Sequence, residues 1–209
     1  ERIRTGGVPV ADADLIAAFG RIDEARGDTS LTFFEWNALA AFAILERAGV
    51  DVAVLEVGLG GRLDAVNAVD ADVAAIVSVG LDHCDWLGAT LEEIGREKAG
   101  IFRRGRPAVF GDRQMPWSVA AAATESGARL KRLGIDFDFV ERPDGWDRRS
   151  GGAARGGRRV QERLGDRLDV GGRQEGPDRQ RRARRAVVAR SRIDVARGHG
   201  DRAGRRGWV

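Results

Sequence analysis

Two stretches near the start of the chain carry apolar residues at helical spacing. From Asp12 to Arg26, and again from Thr29 to Ala48, apolar side chains recur every three or four residues, and Gly49 follows the second stretch. This spacing places the apolar side chains on one face of a helix. Both stretches are therefore predicted to be amphipathic helices that pack against a core.

Shorter apolar runs follow, of a length typical of strands. The run from Val50 to Val57 is broken only by Asp51 and Glu56, and two similar runs are Val73 to Val79 and Pro107 to Phe110. Nearly continuous apolar runs of this length are typical of strands that are covered on both faces. We predict three such strands here.

Helical patterns alternate with these strands. One covers Leu91 to Ala99, where Thr90 and Glu93 have the spacing of a capping box, and the next covers Pro116 to Leu130. The alternating residues from Phe137 to Glu141 predict a fourth strand, suited to a sheet edge. Alternation of strand and helix predicts an α/β fold with a mostly parallel sheet.

The charge of the 209-residue chain, +3 in total, is unevenly distributed. Residues 148–209 hold 19 Arg, no Lys and 7 acidic residues, a net charge of +12, whereas residues 1–147 carry −9. Only 9 of the last 62 residues are Leu, Ile, Val or Phe, too few to form a core at this charge. We expect residues 1–147 to carry the fold and residues 148–209 to be a disordered basic tail, with at most one short helix from Ala186 to Arg197.

Several classes of protein are excluded by composition. A single cysteine, Cys84, excludes an intrachain disulfide framework and a multi-cysteine zinc site, and it fits a reducing cytoplasm. No apolar run approaches the roughly 18 residues of a membrane span, so no membrane association is expected. The chain opens at Glu1 and its only methionine is Met115, so we expect the natural start to lie upstream.

A carboxylate and a glycine turn stand at the end of the first predicted strand. Glu56 lies within the apolar run, and Gly58, Gly60 and Gly61 follow it. Ligands of open α/β sheets bind at the carboxyl ends of strands, and a buried carboxylate needs a cation or a donor. Glu56 is therefore a candidate ligand-binding residue, whereas the glycines could equally well only permit the turn.

The second predicted strand also ends in polar residues, among them Asp82 and His83. If the two strands are neighbours, Glu56 and His83 lie close together. A carboxylate oxygen and an imidazole nitrogen can share a divalent cation such as Mg²⁺. Taken alone, however, a histidine at such a place is more often a hydrogen-bonded structural residue.

Lys98 is one of only two lysines in an arginine-rich chain. A buried lysine can lose its proton, which arginine practically cannot, and the free amine can then react with carbon dioxide to give a carbamate. The alternative is a lysine in the last turn of a helix, where its charge favours the helix dipole.

Four segments taken together carry a resemblance to a known family. In order along the chain they are TSLTFFE from Thr29, LEVGLGGRLDA from Leu55, LDH from Leu81 and GREKAGI from Gly95. These motifs resemble the dihydrofolate synthase/folylpolyglutamate synthase group of the Mur ligase family, over about residues 1–147. The resemblance implies a P-loop NTPase-like fold, that of the Mur ligase central domain, with an incomplete sheet.

The resemblance also implies roles for individual residues. Glu56 and His83 match the magnesium ligands of the family, and Lys98 matches its carbamylated lysine, so these three form the implied catalytic set. Two further segments match those that contact dihydropteroate or folate. Their residues are Thr32, Phe33, Phe34, Glu35, Leu63, Asp64 and Ala65.

The family reaction uses ATP as a co-substrate together with Mg²⁺. The substrate carboxylate is phosphorylated, and the amine of L-glutamate then attacks the acyl phosphate. The implied partners are therefore dihydropteroate or folate, L-glutamate and ATP, and the intact family members are expected to be cytoplasmic monomers.

The chain also departs from the family pattern. It contains neither a G-x-x-x-x-G-K-[ST] motif nor a Thr-Asn-Gly-Lys-Gly loop, so no cofactor-binding residues are assigned. Residues 1–147 thus read as a partial ATP-binding domain that lacks its P-loop strand. After Asp147 nothing resembles the family's glutamate-binding domain, and we hypothesise that a frameshift produced the tail.

Two other functions stay open at this stage. One is a catalytically inactive remnant that at most binds the pterin substrate. The other is non-specific nucleic-acid binding through the Arg-rich tail, which has a single aromatic residue, Trp208, for base stacking. No specific nucleic-acid partner is expected.

Overall fold

A computed structural model describes residues 2–142, 145–150, 161–163 and 186–191. Within these ranges there are five α-helices and one short 3-10 helix. The α-helices are α1 (Asp12–Arg26), α2 (Phe33–Ala48), α3 (Cys84–Leu87), α4 (Leu91–Ala99) and α5 (Trp117–Ser126), and the 3-10 helix is Ala65–Ala68. No helix within the described ranges is both long and apolar enough to cross a membrane.

The strands of the described ranges form three sheets. They are β1 (Arg4–Thr5), β2 (Val8–Pro9), β3 (Val52–Val57), β4 (Val73–Ile76), β5 (Pro107–Phe110), β6 (Arg129–Arg132), β7 (Phe137–Arg142), β8 (Gly145–Ser150), β9 (Gln161–Arg163) and β10 (Ala186–Ser191). The five-stranded sheet has the order β3-β10-β4-β5-β6, and all its pairings are parallel. The pair β1-β2 and the sheet β7-β8-β9 are antiparallel. The predicted α/β fold with a mostly parallel sheet is confirmed.

Local chemistry explains where the helices begin. The predicted capping box of α4 is present, because the Thr90 hydroxyl accepts from the Glu93 amide and the Glu93 carboxylate accepts from the Thr90 amide. Thr32 and Glu35 form the same reciprocal cap on α2, which therefore begins at Phe33 rather than at Thr29. Gly49, in the left-handed conformation, ends α2.

The main core lies between the parallel sheet and helices α4 and α5. Its fully buried side chains include Ile76, Ile101, Phe110 and Val119. A second cluster joins α1 to α2, where the rings of Phe19 and Trp36 meet edge to face. The segments that form these two clusters thus agree with the helical and strand patterns predicted within residues 1–147.

The first two predicted strands are shorter in the structure, since β3 begins at Val52 and β4 ends at Ile76. Two other elements differ more. The helix predicted from Pro116 to Leu130 ends at Ser126, because Gly127 adopts a positive φ of 70°, and the chain then enters β6. The strand predicted from Phe137 to Glu141 is present as β7, and it pairs with β8 in a separate antiparallel sheet. The parallel sheet contains β6, which was not predicted.

The basic tail also contains described strands. The sequence predicts at most a short helix from Ala186 to Arg197, yet Ala186–Ser191 is a strand between β3 and β4. β8 continues across the expected domain boundary at Asp147. The prediction of disorder for the rest of residues 148–209 lies outside the described residues.

Candidate active site

Glu56 lies on the open face of β3. Side chains alternate along this strand, so Leu55 and Val57 are buried while Val54 and Glu56 are exposed. The strand is thus covered on one face only, and the prediction of two covered faces is wrong. Glu56 needs no buried partner to stabilise it, because its carboxylate reaches solvent.

A cleft of about 770 Å³ runs along β3 and is lined by residues of both its faces. It is bounded by β3, by α2 and by the N-terminal hairpin of β1 and β2. Phe33, Phe34 and Asn37 line it from α2, Glu56 from β3 and Arg4 from the hairpin. The cleft therefore combines an apolar wall with charged groups of both signs.

Asp64 closes the turn that follows Glu56. Its Oδ2 atom accepts hydrogen bonds from the backbone amides of Gly58 and Leu59, each at 3.0 Å. Its Oδ1 atom accepts from the amide of Val66 at 2.9 Å, at the start of the 3-10 helix. Both carboxylate oxygens thus accept hydrogen bonds from backbone amides, and these bonds fix the shape of the turn.

The glycines of this turn permit close packing. A Cβ atom at Gly58 would lie 2.6 Å from the ring of Phe34, and one at Gly61 would lie 2.8 Å from the carbonyl oxygen of Lys98. Because the amides of Gly58 and Leu59 donate to Asp64, they are not directed at a phosphate. The sequence left two roles open for these glycines, ligand binding and the conformation of the turn. The structure supports the second role.

Asp82 and His83 form a small exposed unit after β4. His83 adopts a positive φ of 51°, and its backbone amide donates to Oδ1 of Asp82 at 2.8 Å. Its Nε2 atom lies 3.6 Å from Oδ2 of the same carboxylate. Asp82 therefore holds the backbone of His83 and lies beside its ring, a role that the sequence did not indicate.

Lys98 is buried, with only 6% of its surface exposed. Burial lowers the pKa of its amine, and the negative charge of Asp82 acts in the opposite direction. The structure thus brings Lys98 near the unit formed by Asp82 and His83. A last-turn position that merely favours the helix dipole would not require this burial.

Glu56 and His83 do not lie on neighbouring strands, contrary to the prediction. The strand β10 pairs with β3 on one side and with β4 on the other. Adjacent strands are about 4.8 Å apart, so one intervening strand roughly doubles the separation of the two strand ends. Among the described residues, no three His, Cys, Asp or Glu side chains are grouped so as to hold a metal ion.

The donor set nevertheless suits a hydrated cation. Glu56, near the end of β3, offers carboxylate oxygens, and His83, in the segment after β4, offers an imidazole nitrogen. Both side chains are exposed. Mg²⁺ keeps several waters when only one or two protein groups bind it. Each side chain is therefore of a type that can bind a hydrated cation without a closed protein cage.

The predicted substrate residues divide into two groups. Thr32 and Glu35 are engaged in the α2 cap, where Oε2 of Glu35 accepts from the Thr32 amide at 2.7 Å and from its hydroxyl at 2.8 Å. These bonds hold the pKa of Glu35 below its ordinary value. The rings of Phe33 and Phe34 border the cleft, and Leu63 is 81% exposed. Ala65 begins the 3-10 helix.

Comparison with known proteins places these segments in a family. The Mur ligase middle domain matches residues 13–137. The dihydrofolate synthase/folylpolyglutamate synthase of Escherichia coli (strain K12) is 49% identical over 146 residues, which are 70% of this chain and 35% of that protein. The protein of the same name from Mycobacterium tuberculosis is 39% identical over 164 residues, covering 68% and 34% of the two chains.

Solved structures are similar over the same part of the chain. One, of E. coli FolC in complex with DHPP and ADP, has a TM-score of 0.69 and 48% identity, and covers 70% of this chain and 36% of that one. Another is the bifunctional folylpolyglutamate synthase/dihydrofolate synthase of Yersinia pestis complexed with AMPPNP and Mn ion. Its TM-score is 0.67 at 48% identity, with 74% and 36% covered. The chain spans about a third of the length of the curated relatives it matches.

Proposed function

Because the chain belongs to the Mur ligase family, we propose that it is the middle-domain part of an ATP-dependent ligase that joins L-glutamate to dihydropteroate and to folates. The observation that carries this proposal is the 49% identity over 146 residues to the E. coli dihydrofolate synthase/folylpolyglutamate synthase. The functional unit proposed here is residues 1–147, followed by a basic tail. The site stands at the carboxyl edge of a parallel sheet, where such folds bind ligands.

The proposed reaction has two steps. The substrate carboxylate takes the γ-phosphoryl group of ATP, and ADP leaves. The amine of L-glutamate then attacks the carbonyl carbon of the acyl phosphate, so that an amide bond forms and phosphate and a proton are released. Both steps develop negative charge on phosphate oxygens, which nearby positive groups stabilise.

We assign Glu56 and His83 as the residues that hold Mg²⁺. When bound, the cation supplies positive charge that neutralises phosphate oxygens. The exposure of both side chains supports this assignment. Asp82 holds the backbone of His83 through its hydrogen bond with the amide, and its carboxylate lies 3.6 Å from the ring.

Lys98 is proposed to react with carbon dioxide. Its free amine would attack the carbon of CO₂, giving a carbamate and releasing one proton. The lowered pKa that burial causes raises the fraction of free amine near neutral pH. The product is an anion, which supplies negative charge where the ammonium would supply positive charge.

The reactivity of Lys98 can be tested directly, because Lys98 and Lys131 are the only lysines. The chain is equilibrated with ¹³C-bicarbonate and its carbamate signals are recorded by ¹³C NMR. Besides the signal of the N-terminal amine, which all three proteins share, one further signal is expected in the wild type and in Lys131→Arg and not in Lys98→Arg. A Lys98→Arg spectrum identical to that of the wild type would refute the assignment.

The pteroate-binding residues are proposed to be those that border the cleft and the turn beside it. Phe33 and Phe34 offer aromatic surface to a pterin or benzoate ring, and Leu63, Asp64 and Ala65 form the adjoining turn. Thr32 and Glu35 support this surface by fixing the first turn of α2, from which both phenylalanines project.

Dihydropteroate binding to the chain is the test of the proposed function. Isothermal titration of the wild type is compared with Phe34→Ala and with Phe139→Ala, an exposed phenylalanine outside the cleft. We expect Phe34→Ala to weaken binding roughly fivefold, since an aromatic stacking contact is worth about 1 kcal/mol. A folded wild type that does not bind dihydropteroate, or equal binding by both variants, would contradict the proposal.

The remaining expectations follow the same family assignment. We propose that the protein acts as a monomer in the cytoplasm, without a specific nucleic-acid partner. The single cysteine, which is exposed and free, supports a reducing compartment.

A further inference from the structure

Helix α4, which carries Lys98, is fixed to helix α5 by its first two turns. The Glu92 carboxylate accepts from the backbone amides of Trp117 at 3.3 Å and Ser118 at 2.8 Å, at the N-terminus of α5. One turn later, Nη2 of Arg96 lies 2.9 Å from Oε2 of Glu125. These contacts set the position of α4 along and around α5.

Gly95 lies between these two contacts, and the helices approach each other there. A Cβ atom at Gly95 would lie 2.8 Å from Oγ of Ser118 and 3.1 Å from Cγ2 of Val119. Both neighbours are buried, with 3% of Ser118 and 0% of Val119 exposed. A side chain at position 95 would therefore force α4 and α5 apart.

The C-terminal end of α4 is fixed by a different neighbour, the turn after β3. The Arg62 amide donates to the carbonyl oxygen of Glu97 at 3.0 Å, and Nε of Arg62 lies 3.0 Å from Oε1 of Glu97. Gly61 packs against the carbonyl of Lys98. Lys98 is therefore held between two packed neighbours, and separation of α4 from α5 would shift the helix against this turn.

We propose that Gly95 is a positioning residue for Lys98: its lack of a side chain lets α4 lie close enough to α5 to hold the Lys98 amine at its buried depth. Lys98 follows Gly95 by three residues, so the two lie on adjoining parts of the helix surface. The inference rests on the proposed function in one respect: the proposed reaction of Lys98 with carbon dioxide is what makes the burial of its amine relevant.

The two-lysine composition allows an internal comparison. The full chain is treated with limiting acetic anhydride at several pH values, and peptide mass spectrometry gives the rate at Lys98 relative to that at exposed Lys131. In the wild type, Lys98 is expected to react several-fold more slowly, because it is buried. In Gly95→Ala this ratio is expected to rise several-fold, and the pH profile of Lys98 to shift towards that of Lys131.

Two further variants separate positioning from general destabilisation. Gly20→Ala is the matched control, because Gly20 is also helical and a Cβ there meets nothing within 4 Å; its ratio should equal that of the wild type. Adding Ser118→Ala to Gly95→Ala removes Oγ of Ser118, the atom nearest to the new methyl group. The rate of Lys98 relative to Lys131 should then return part of the way to the wild-type value. If Gly95→Ala does not fold, Ser118→Thr, which adds a methyl group to the side chain nearest Gly95, is read in the same way.

The proposal is overturned if folded Gly95→Ala keeps the wild-type ratio and pH profile, or if Ser118→Ala gives no recovery. A failure of the proposed function is distinguishable from this outcome. If no variant binds dihydropteroate while Gly95→Ala still changes the Lys98 ratio, the positioning role stands and the ligase assignment does not.

Discussion

Asp64 and Gly58 are joined by a 3.0 Å hydrogen bond from the Gly58 amide to Oδ2 of Asp64, across the turn that follows Glu56. The same carboxylate accepts from Leu59 and, through Oδ1, from Val66. The turn that leads away from Glu56 is thus built on one side chain. Its shape depends on Asp64 having two acceptor oxygens.

Replacement of Asp64 by Asn is expected to destabilise the protein. Asparagine offers one acceptor oxygen, so backbone amides that now donate to the second oxygen lose their partner. The cost of such a loss is about 1–3 kcal/mol, measured as the free energy of unfolding in urea without substrate. Asp28→Asn, at an exposed carboxylate in the loop after α1, is the control and should change stability little. Equal stability of both variants would contradict the role of Asp64.

The reciprocal cap of α2 leads to a second prediction. Thr32→Ala removes the hydroxyl that accepts from the Glu35 amide and should lower the free energy of unfolding by about 1 kcal/mol. Thr32→Ser keeps the hydroxyl and should retain most of the stability. Thermal unfolding of the three proteins measures this, and an alanine variant as stable as the serine variant would show that the cap contributes nothing.

Local patterns in the sequence were sufficient to predict the type and position of most helices and strands. Helix α1 has the predicted bounds, Asp12–Arg26, and β5 has the predicted bounds, Pro107–Phe110. The capping box at Thr90 was also readable from spacing alone. These features depend on residues within one turn or one strand of each other, which is the range over which periodicity carries information.

Features that depend on distant residues were not predictable in this way. The end of α5 at Gly127 was missed because a glycine inside an alanine-rich helical pattern is tolerated. The order of β3 and β4 was inferred from their succession in the chain, whereas β10 lies between them. Pairing between segments far apart leaves no trace in local periodicity.

The candidate site likewise contains residues that the sequence indicated and contacts that it did not. The motifs indicated Glu56, His83 and Lys98, and the structure buries Lys98 near Asp82. The backbone role of Asp64 was not foreseen, because it depends on a turn conformation rather than on a pattern. The T-x-x-E spacing at Thr32 did contain the signal for a helix cap, although these residues had been interpreted through the resemblance.

The buried amine of Lys98 gives a pH-dependent prediction. Its pKa is lower in the folded protein than in the unfolded chain, so between the two values the unfolded chain binds more protons. The free energy of unfolding therefore rises with pH. The rise begins near the lowered pKa of Lys98 in the folded protein and ends near the ordinary lysine pKa of the unfolded chain. Unfolding free energies of the wild type, Lys98→Met and Lys131→Met are measured from neutral pH to about pH 10.

The wild type and Lys131→Met should gain stability relative to Lys98→Met over that range. The reason is that burial penalises only the charged form of Lys98, which Met lacks, whereas Lys131 is exposed. Parallel curves for the wild type and Lys98→Met would show that the Lys98 amine has the same pKa in both states.

The position of β10 can be tested by cross-linking across the sheet. Val54 of β3 and Val188 of β10 are register partners, and partners on adjacent strands are about 4.8 Å apart. Cysteines at both positions, in a Cys84→Ser background because Cys84 is exposed, should be joined within one chain by a short bifunctional thiol reagent. The yield is measured by mass spectrometry of the cross-linked peptides.

The control for this cross-link moves the second cysteine by one residue. Successive residues of a strand face opposite sides of a sheet, so a cysteine at position 187 would face away from one at position 54, and the yield should fall several-fold. Equal yields, or cross-links only between chains, would contradict the register. If the register holds, β10 is the strand that joins the strand of Glu56 to the strand that leads to His83. The separation of the two proposed cation ligands then depends on residues of the basic tail.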